Sequence, residues 1–305
     1  MAGLLFLAMT CAAEPKWPGV RLEPGQVVAY AGDLADTSER PGKKYRHAFA
    51  VEVTWVVLAV KNGAAECVTM TTVTPRPEQS IANATIQITG QVDRTPPVSV
   101  VRVEFVKLLA NGAVQTATLP NGDPPFATLA FSSWRTGPKL QGPTWRESAP
   151  FDRFFDGKAM TFEKRGDELW NGSRVVDFVG KSQSQHFDDL AKSPAGYRRT
   201  DRVFVSPTDG LPRAYVRTIE QREGKAIIAT AETKLAMSPP PPVLDAAGIQ
   251  RVRREGEWAV KLADEADGVV RDGVAQAKFR DRVKRIIAGF AIPSAVRPAL
   301  ESLAR

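Results

Sequence analysis

The chain has 305 residues, 43% hydrophobic and 25% charged, which excludes wholesale disorder and supplies enough apolar side chains for one large β-rich domain or two smaller ones. Lys+Arg 41 against Asp+Glu 34 leaves a net charge of +7. A surplus this mild, with both signs interspersed, keeps a protein soluble and argues against a dedicated nucleic-acid surface.

Residues 1–13 carry no charged side chain. Leu4-Leu5-Phe6-Leu7-Ala8-Met9 followed by Thr10-Cys11-Ala12-Ala13 resembles the end of a secretory signal, with cleavage expected after Ala13. Lipidation at Cys11 is not expected, because Ala8 and Thr10 depart from the bacterial lipidation box. No later apolar run approaches the roughly 20 residues that span a bilayer. The expectation is an exported protein, periplasmic or in the cell envelope, with at most peripheral membrane contact.

A first β-rich half is expected over residues 14–119. Gln26 to Ala35 reads as a strand, and a longer one follows from Tyr45 to Ala59. There His47, Phe49, Val51, Val53, Trp55 and Val57 fall on one face and Arg46, Glu52 and Thr54 on the other. Asn62-Gly63 predicts a tight hairpin, because both residues tolerate positive φ, and Ala65 to Thr74 returns. A second hairpin is predicted at Asn111-Gly112, between Val98–Leu109 and Ala113–Leu119.

Residues 120–150 are dense in proline and glycine and read as an ordered loop or linker. A second β-rich half is expected over residues 151–237. Asn171-Gly172 joins Ala159–Trp170 to Arg174–Ser184, and a three-strand meander runs from Asp201 to Met237 with turns at Ser206–Gly210 and Gly224. In its last strand Ile227, Ala229, Ala231, Thr233, Leu235 and Met237 share a face. Pro239–Pro242 then stops the sheet. Residues 238–305 form a proline spacer and a helical tail, in which Val252, Ala259, Leu262 and Ala263 mark one apolar stripe and Phe279, Val283, Ile286, Ile287 and Phe290 a second. Gly256 weakens the first of these helices, and Pro293-Ser294 opens a short last one.

The chain is poor in raw material for catalysis. It has two histidines, too few for a multi-histidine metal site. His47 lies among apolar strand residues, and His186 beside Asp188 and Asp189 reads as a polar loop. Cys67 is strand-borne with nothing nearby in sequence to activate it. No C-x-x-C, G-x-S-x-G or H-E-x-x-H occurs, and no phosphate-cradling glycine loop. Lys278, Arg280, Arg282, Lys284 and Arg285 make a basic helix softened by Asp281, a solvated face in its simplest reading.

The run Arg202-Val203-Phe204-Val205-Ser206-Pro207-Thr208-Asp209-Gly210-Leu211-Pro212-Arg213 resembles the strand, Pro/Gly-Leu-Pro turn and returning strand of bacterial envelope half-barrels of the lipoprotein-carrier type, over roughly residues 158–237. The resemblance implies an antiparallel sheet curled around an apolar face. Trp170-Asn171-Gly172 and the helical tail after a proline break are also similar to N-terminal regions of secreted bacterial proteins that precede a thioredoxin-like domain. No redox residues carry over from that second likeness.

The fold expected is therefore mainly β with a C-terminal α segment, its antiparallel sheets curved into a half-barrel or sandwich. The function expected is a non-catalytic binding or envelope-interaction module without cofactor or metal. Its candidate apolar binding face is Phe49, Val51, Val53 and Trp55 in the first half and Ile227 and Leu235 in the second, and its partner an apolar ligand or an envelope protein. The alternatives are an accessory region of a thiol-disulfide system and a carboxylate hydrolase using Asp188 or Asp189. A wet apolar face is costly at roughly 25 cal/mol per Å², so the helical tail or a facing sheet is expected to cover it.

Overall fold

The computed structural model describes residues 21–40, 43–76, 81–82, 100–108, 114–116, 144–148, 159–189, 191–269, 273–290 and 294–304. The leader at 1–13, Cys11, the Asn111-Gly112 turn and nearly all of the 120–150 loop lie outside these residues.

Among the described residues, twelve strands form one antiparallel, curved sheet. They are β1 (Val27–Arg40), β2 (Lys43–Lys61), β3 (Ala64–Pro75), β4 (Ile81–Ala82), β5 (Val100–Leu108), β6 (Val114–Thr116), β7 (Thr144–Ser148), β8 (Ala159–Trp170), β9 (Ser173–Gln183), β10 (Ala195–Val205), β11 (Pro212–Glu223) and β12 (Ala226–Met237). Their order across the sheet is β6-β5-β3-β2-β1-β12-β11-β10-β9-β8-β7, with β4 added to β2. The turn residues act as their chemistry demands. Asn62 and Gly63 adopt φ 51° and 73°, and Asn171 and Gly172 adopt 47° and 77°, the left-handed pair that matches strand twist in a two-residue hairpin.

The Ser206–Gly210 turn is held by its own side chains. Ser206 Oγ accepts the N–H of Thr208 at 3.2 Å, Asp209 Oδ1 that of Leu211 at 3.0 Å, and Gly210 supplies φ 70°. Tyr30, in the middle of the sheet, donates its hydroxyl to the Pro212 carbonyl at 3.0 Å and so ties β1 to this turn.

The two β halves are joined edge to edge. β1 pairs with β12 in an unbroken register from Tyr30↔Met237 to Ser38↔Ala229. At Gly32 a Cβ would stand 1.8 Å from the Lys234 carbonyl oxygen, so glycine permits this junction and any larger residue obstructs it.

Three helices follow the sheet: α1 (Ala246–Val269), α2 (Gly273–Ala288) and α3 (Arg297–Leu303). Asp245 Oδ1 accepts the Gly248 N–H at 2.7 Å to open α1. Ser294 Oγ accepts the N–H groups of Val296 and Arg297 just ahead of α3. The helices bury Val252, Ala259, Leu262, Phe279, Val283, Ile287, Val296 and Leu300 against Val27, Val56, Leu58, Val68, Met70, Val101 and Val103.

Of the two covers expected for the apolar face, that placement rules out the tail, while the face itself is buried together with Val176, Phe178, Val203 and Val205 of the other half. The tail does not cover the face of Phe49, Val51, Val53, Trp55 and Val57. It lies on the opposite side, where Val56 and Leu58 interrupt an otherwise polar series that includes Glu52 and Thr54. Gly256 is the reason the helix fits: a Cβ there would stand 3.3 Å from Phe105 Cζ and from Val68 Cγ2. What reads in sequence as a weak point of the helix is a point of close contact with the sheet.

Candidate functional site: the inner face of the sheet

The face opposite the tail is apolar across both halves. One cluster includes Val28 and Tyr30 of β1, Phe49, Val51, Val53, Trp55 and Val57 of β2, Val106 and Leu108 of β5, and Val176 and Phe178 of β9, and continues through Val203, Val205, Tyr215 and Leu235. Strand register explains the continuity. Val203 lies opposite Tyr215, Tyr215 opposite Leu235, Leu235 opposite Gly32, and Gly32 opposite Val51, so one row of inward positions crosses five strands.

Of the candidate face residues, Phe49, Val51, Val53, Trp55 and Leu235 are brought together in this cluster. Ile227 is not. It lies at the far end of β12, beyond a register shift at Gln221/Arg222, and is 38% exposed, while its neighbour Ile228 is buried.

Below the apolar rows the same inner face turns polar. Asp201 is fully buried between two guanidiniums. Arg199, two residues away on β10, reaches it through Nε at 3.0 Å and Nη2 at 2.6 Å, and Arg217, directly opposite on β11, through Nε at 3.0 Å. Burial alone would push the Asp201 carboxyl up, but Arg217 and Arg199 more than offset it and hold it well below the usual carboxylate range.

The next row continues through Ile219 and Ala231 to Asp36 and His47, which face each other across β1 and β2. Desolvation pushes the Asp36 carboxyl up to about 6, against the opposing pull of the Tyr45 hydroxyl, which donates to Oδ2 at 3.4 Å. Tyr45 is itself pushed up to about 12, by burial and then by Asp36. Its ring lies 4.6 Å from that of His47, a buried residue. Buried Ser38 ends the belt, opposite Tyr45. The small side chains of Ala229 and Ala231 sit on this face between the two charged groups, opposite Ser38 and Asp36 respectively.

A third polar patch lies at the β3–β5 end. Thr69 Oγ1 donates to the Glu104 carbonyl at 3.4 Å, and the Glu104 carboxyl is pushed up to about 7, chiefly by desolvation, with Arg102 pulling it down and Asp264 adding to the rise.

Of the other chemistry-bearing residues, His186, Asp188 and Asp189 stand apart from this face, and Cys67 belongs to its apolar cluster. His186 is exposed in a turn at φ 61°. Asp188 accepts from Gln183 Nε2 at 3.0 Å, and Asp189 pairs with Lys192 at 3.2 Å, so the two acids of the hydrolase reading are engaged in exposed loop contacts. Cys67 is buried on β3, its thiol pushed up to about 12 by desolvation and then by Glu66, which leaves it unreactive. Among the described residues no group of His, Cys, Asp and Glu could hold a metal ion.

Sequence reasoning missed the polar belt. Arg199, Asp201 and Arg217 alternate with β-forming residues on their strands, which reads as an exposed face. Only the inward position of Val203, Val205 and Tyr215 on the same parity could have placed them inside.

No family model matches the chain, and no curated protein does either. Among solved structures it is similar to lipovitellin, studied for its lipid–protein interactions, with TM-score 0.36 and 13% identity over 74% of this chain. The chain spans only 26% of that protein's length. It is also similar to LprF from Mycobacterium bovis, with TM-score 0.20 and 12% identity over 71% of this chain and 89% of the other. An outer membrane lipoprotein-sorting protein domain from Vibrio parahaemolyticus gives TM-score 0.19 and 10% identity over 72% and 88%. Scores this low carry no argument about function; the antiparallel curved sheet stands on its own registers.

Proposed function

We propose that this chain is an exported, non-catalytic binding module of the bacterial cell envelope, and that its inner face holds a ligand with an apolar chain and a polar head. The observation that carries the reading is the two-part character of that face: apolar rows from Tyr30, Phe49 and Val53 to Phe178 and Tyr215, bordered by the belt of Arg199, Asp201, Arg217, Asp36 and His47. The rows are buried against one another in the structure, so an apolar chain enters by parting them and takes over their apolar contacts, while a polar head at the belt meets hydrogen-bonding groups. The helical tail lies on the other face and does not compete for the inner one. Export rests on the apolar leader before Glu14, and the lipoprotein-carrier resemblance agrees with an apolar ligand.

The test is native mass spectrometry of the protein purified without detergent from its own cells. The reading expects a mature N-terminus near Glu14 and a bound mass that organic solvent extracts. A bare chain that also takes up no long-chain carboxylic acid when offered one refutes it.

A further inference from the structure

The outer surface of the helical tail carries a combination that the fold does not need. Trp258 is 53% exposed on α1, and Val274 is 67% exposed at the start of α2. Neither residue is among the apolar side chains that pack on the sheet. Trp258 shares its helix face with Arg254, Lys261 and Glu265, at helical spacings of four, three and seven residues, with exposed Glu257 and Asp264 beside them, and Lys261 Nζ lies 5.4 Å from the centre of its ring.

Glu265 pairs with Arg282 of α2, so the exposed faces of the two helices adjoin. On α2 the segment 278–285 holds Lys278, Arg280, Arg282, Lys284 and Arg285 against the single acid Asp281. Four of those five cations are exposed, Arg280 being half-buried, while Phe279, Val283 and Ile287 are buried where α2 packs on α1 and α3.

The geometry points to a docking surface for an anionic bilayer, formed by the outer faces of α1 and α2. A half-exposed tryptophan is suited to the headgroup layer, where its ring is partly desolvated and its N–H stays wet. The cations around it complement anionic headgroups and act at short range, within a Debye length. Neither helix is long and apolar enough to cross the membrane. The contact is therefore peripheral, with the helices lying flat on the surface. It lies across the sheet from the inner face, so ligand uptake and docking can each fail without the other.

The experiment is co-sedimentation of the full chain with vesicles of phosphatidylcholine alone and of phosphatidylcholine mixed with phosphatidylglycerol, at low and high salt. Binding is expected to the mixed vesicles only and to fall with salt. It should drop about fivefold for each cation removed in Lys278→Gln, Lys284→Gln and Arg285→Gln. Trp258→Ala should weaken it further, and the blue shift on binding should be absent in Trp258→Phe. These side chains are exposed, so circular dichroism and melting temperature should stay at wild-type values, which keeps loss of binding separate from loss of fold. Equal binding to both vesicle types, no binding to either, or indifference to both sets of variants overturns the proposal. So does a solution dimer that Trp258→Ala dissociates, because the surface then belongs to a second copy of the chain.

Discussion

Replacing Asp201 by alanine tests the electrostatics of the inner face. The carboxylate is fully buried and receives Arg199 and Arg217 at 2.6–3.0 Å, so the variant leaves two guanidiniums buried side by side without the anion between them. Breaking a buried pair in this way costs roughly 3–5 kcal/mol, more than the pair contributes when intact, because the penalty is that of an uncompensated charge. At about 2–4 °C per kcal/mol for a chain of this size, the melting temperature should fall by about 10 °C. Urea unfolding followed by circular dichroism at neutral pH gives the free energy directly. The triple variant Arg199→Met, Asp201→Leu, Arg217→Met should recover most of the loss, since it removes the charges together. A loss under about 1 kcal/mol in Asp201→Ala would refute the reasoning, as would a triple variant no better than the single one.

The pH dependence has a definite sign. Asp36 and Glu104 are raised in the folded state to about 6 and about 7, so their contribution is fully present below the ordinary carboxylate range and is lost as pH rises through those values. Stability should fall by about 2–4 kcal/mol between about pH 5 and 8, and the double variant Asp36→Asn, Glu104→Gln should flatten the urea midpoints over that range. Asp201 works in the opposite direction: its lowered carboxyl supports the fold above the ordinary range and ceases to do so on strong acidification. Gly32→Val should part β1 from β12, because the new side chain meets the Lys234 carbonyl, and hydrogen exchange should then report lost protection along both strands. Gly256→Leu should push α1 off Phe105 and Val68 at a cost of about 1–3 kcal/mol, read as a lower melting temperature and more binding of a hydrophobic dye.

Local structure was well marked in the sequence and long-range pairing was not. The period-two pattern of β2, the Asn62-Gly63 and Asn171-Gly172 turns and the Ser206–Gly210 turn each depend on a few adjacent residues, and each lies where its chemistry requires. The pairing of β1 with β12 joins residues about two hundred positions apart, and period two says which residues share a face without saying which strand lies beside them. The tail shows the same gap. Its apolar stripes were legible, but two faces of β2 could have received them, and the deciding feature, Val56 and Leu58 on the polar parity, occupies only two positions. The buried belt was hidden because Arg199, Asp201 and Arg217 are charged, and charged side chains on strands are ordinarily wet. Their burial depends on mutual pairing that only the register of β10 with β11 supplies.

The central claim is that the inner face holds a single amphiphilic ligand, and the most direct measurement is titration of the full chain with a fluorescent long-chain carboxylic acid. Ala231 lies on that face between Ile219 and Asp36 and is half-buried, so Ala231→Trp sets a large side chain beside the belt and one residue row away from the apolar rows. The account predicts saturable binding of one probe per chain. It also predicts affinity at least about tenfold weaker in Ala231→Trp, a loss of ~1.4 kcal/mol, at unchanged melting temperature. Absence of saturable binding to the wild-type chain, or equal affinity in Ala231→Trp, would contradict it.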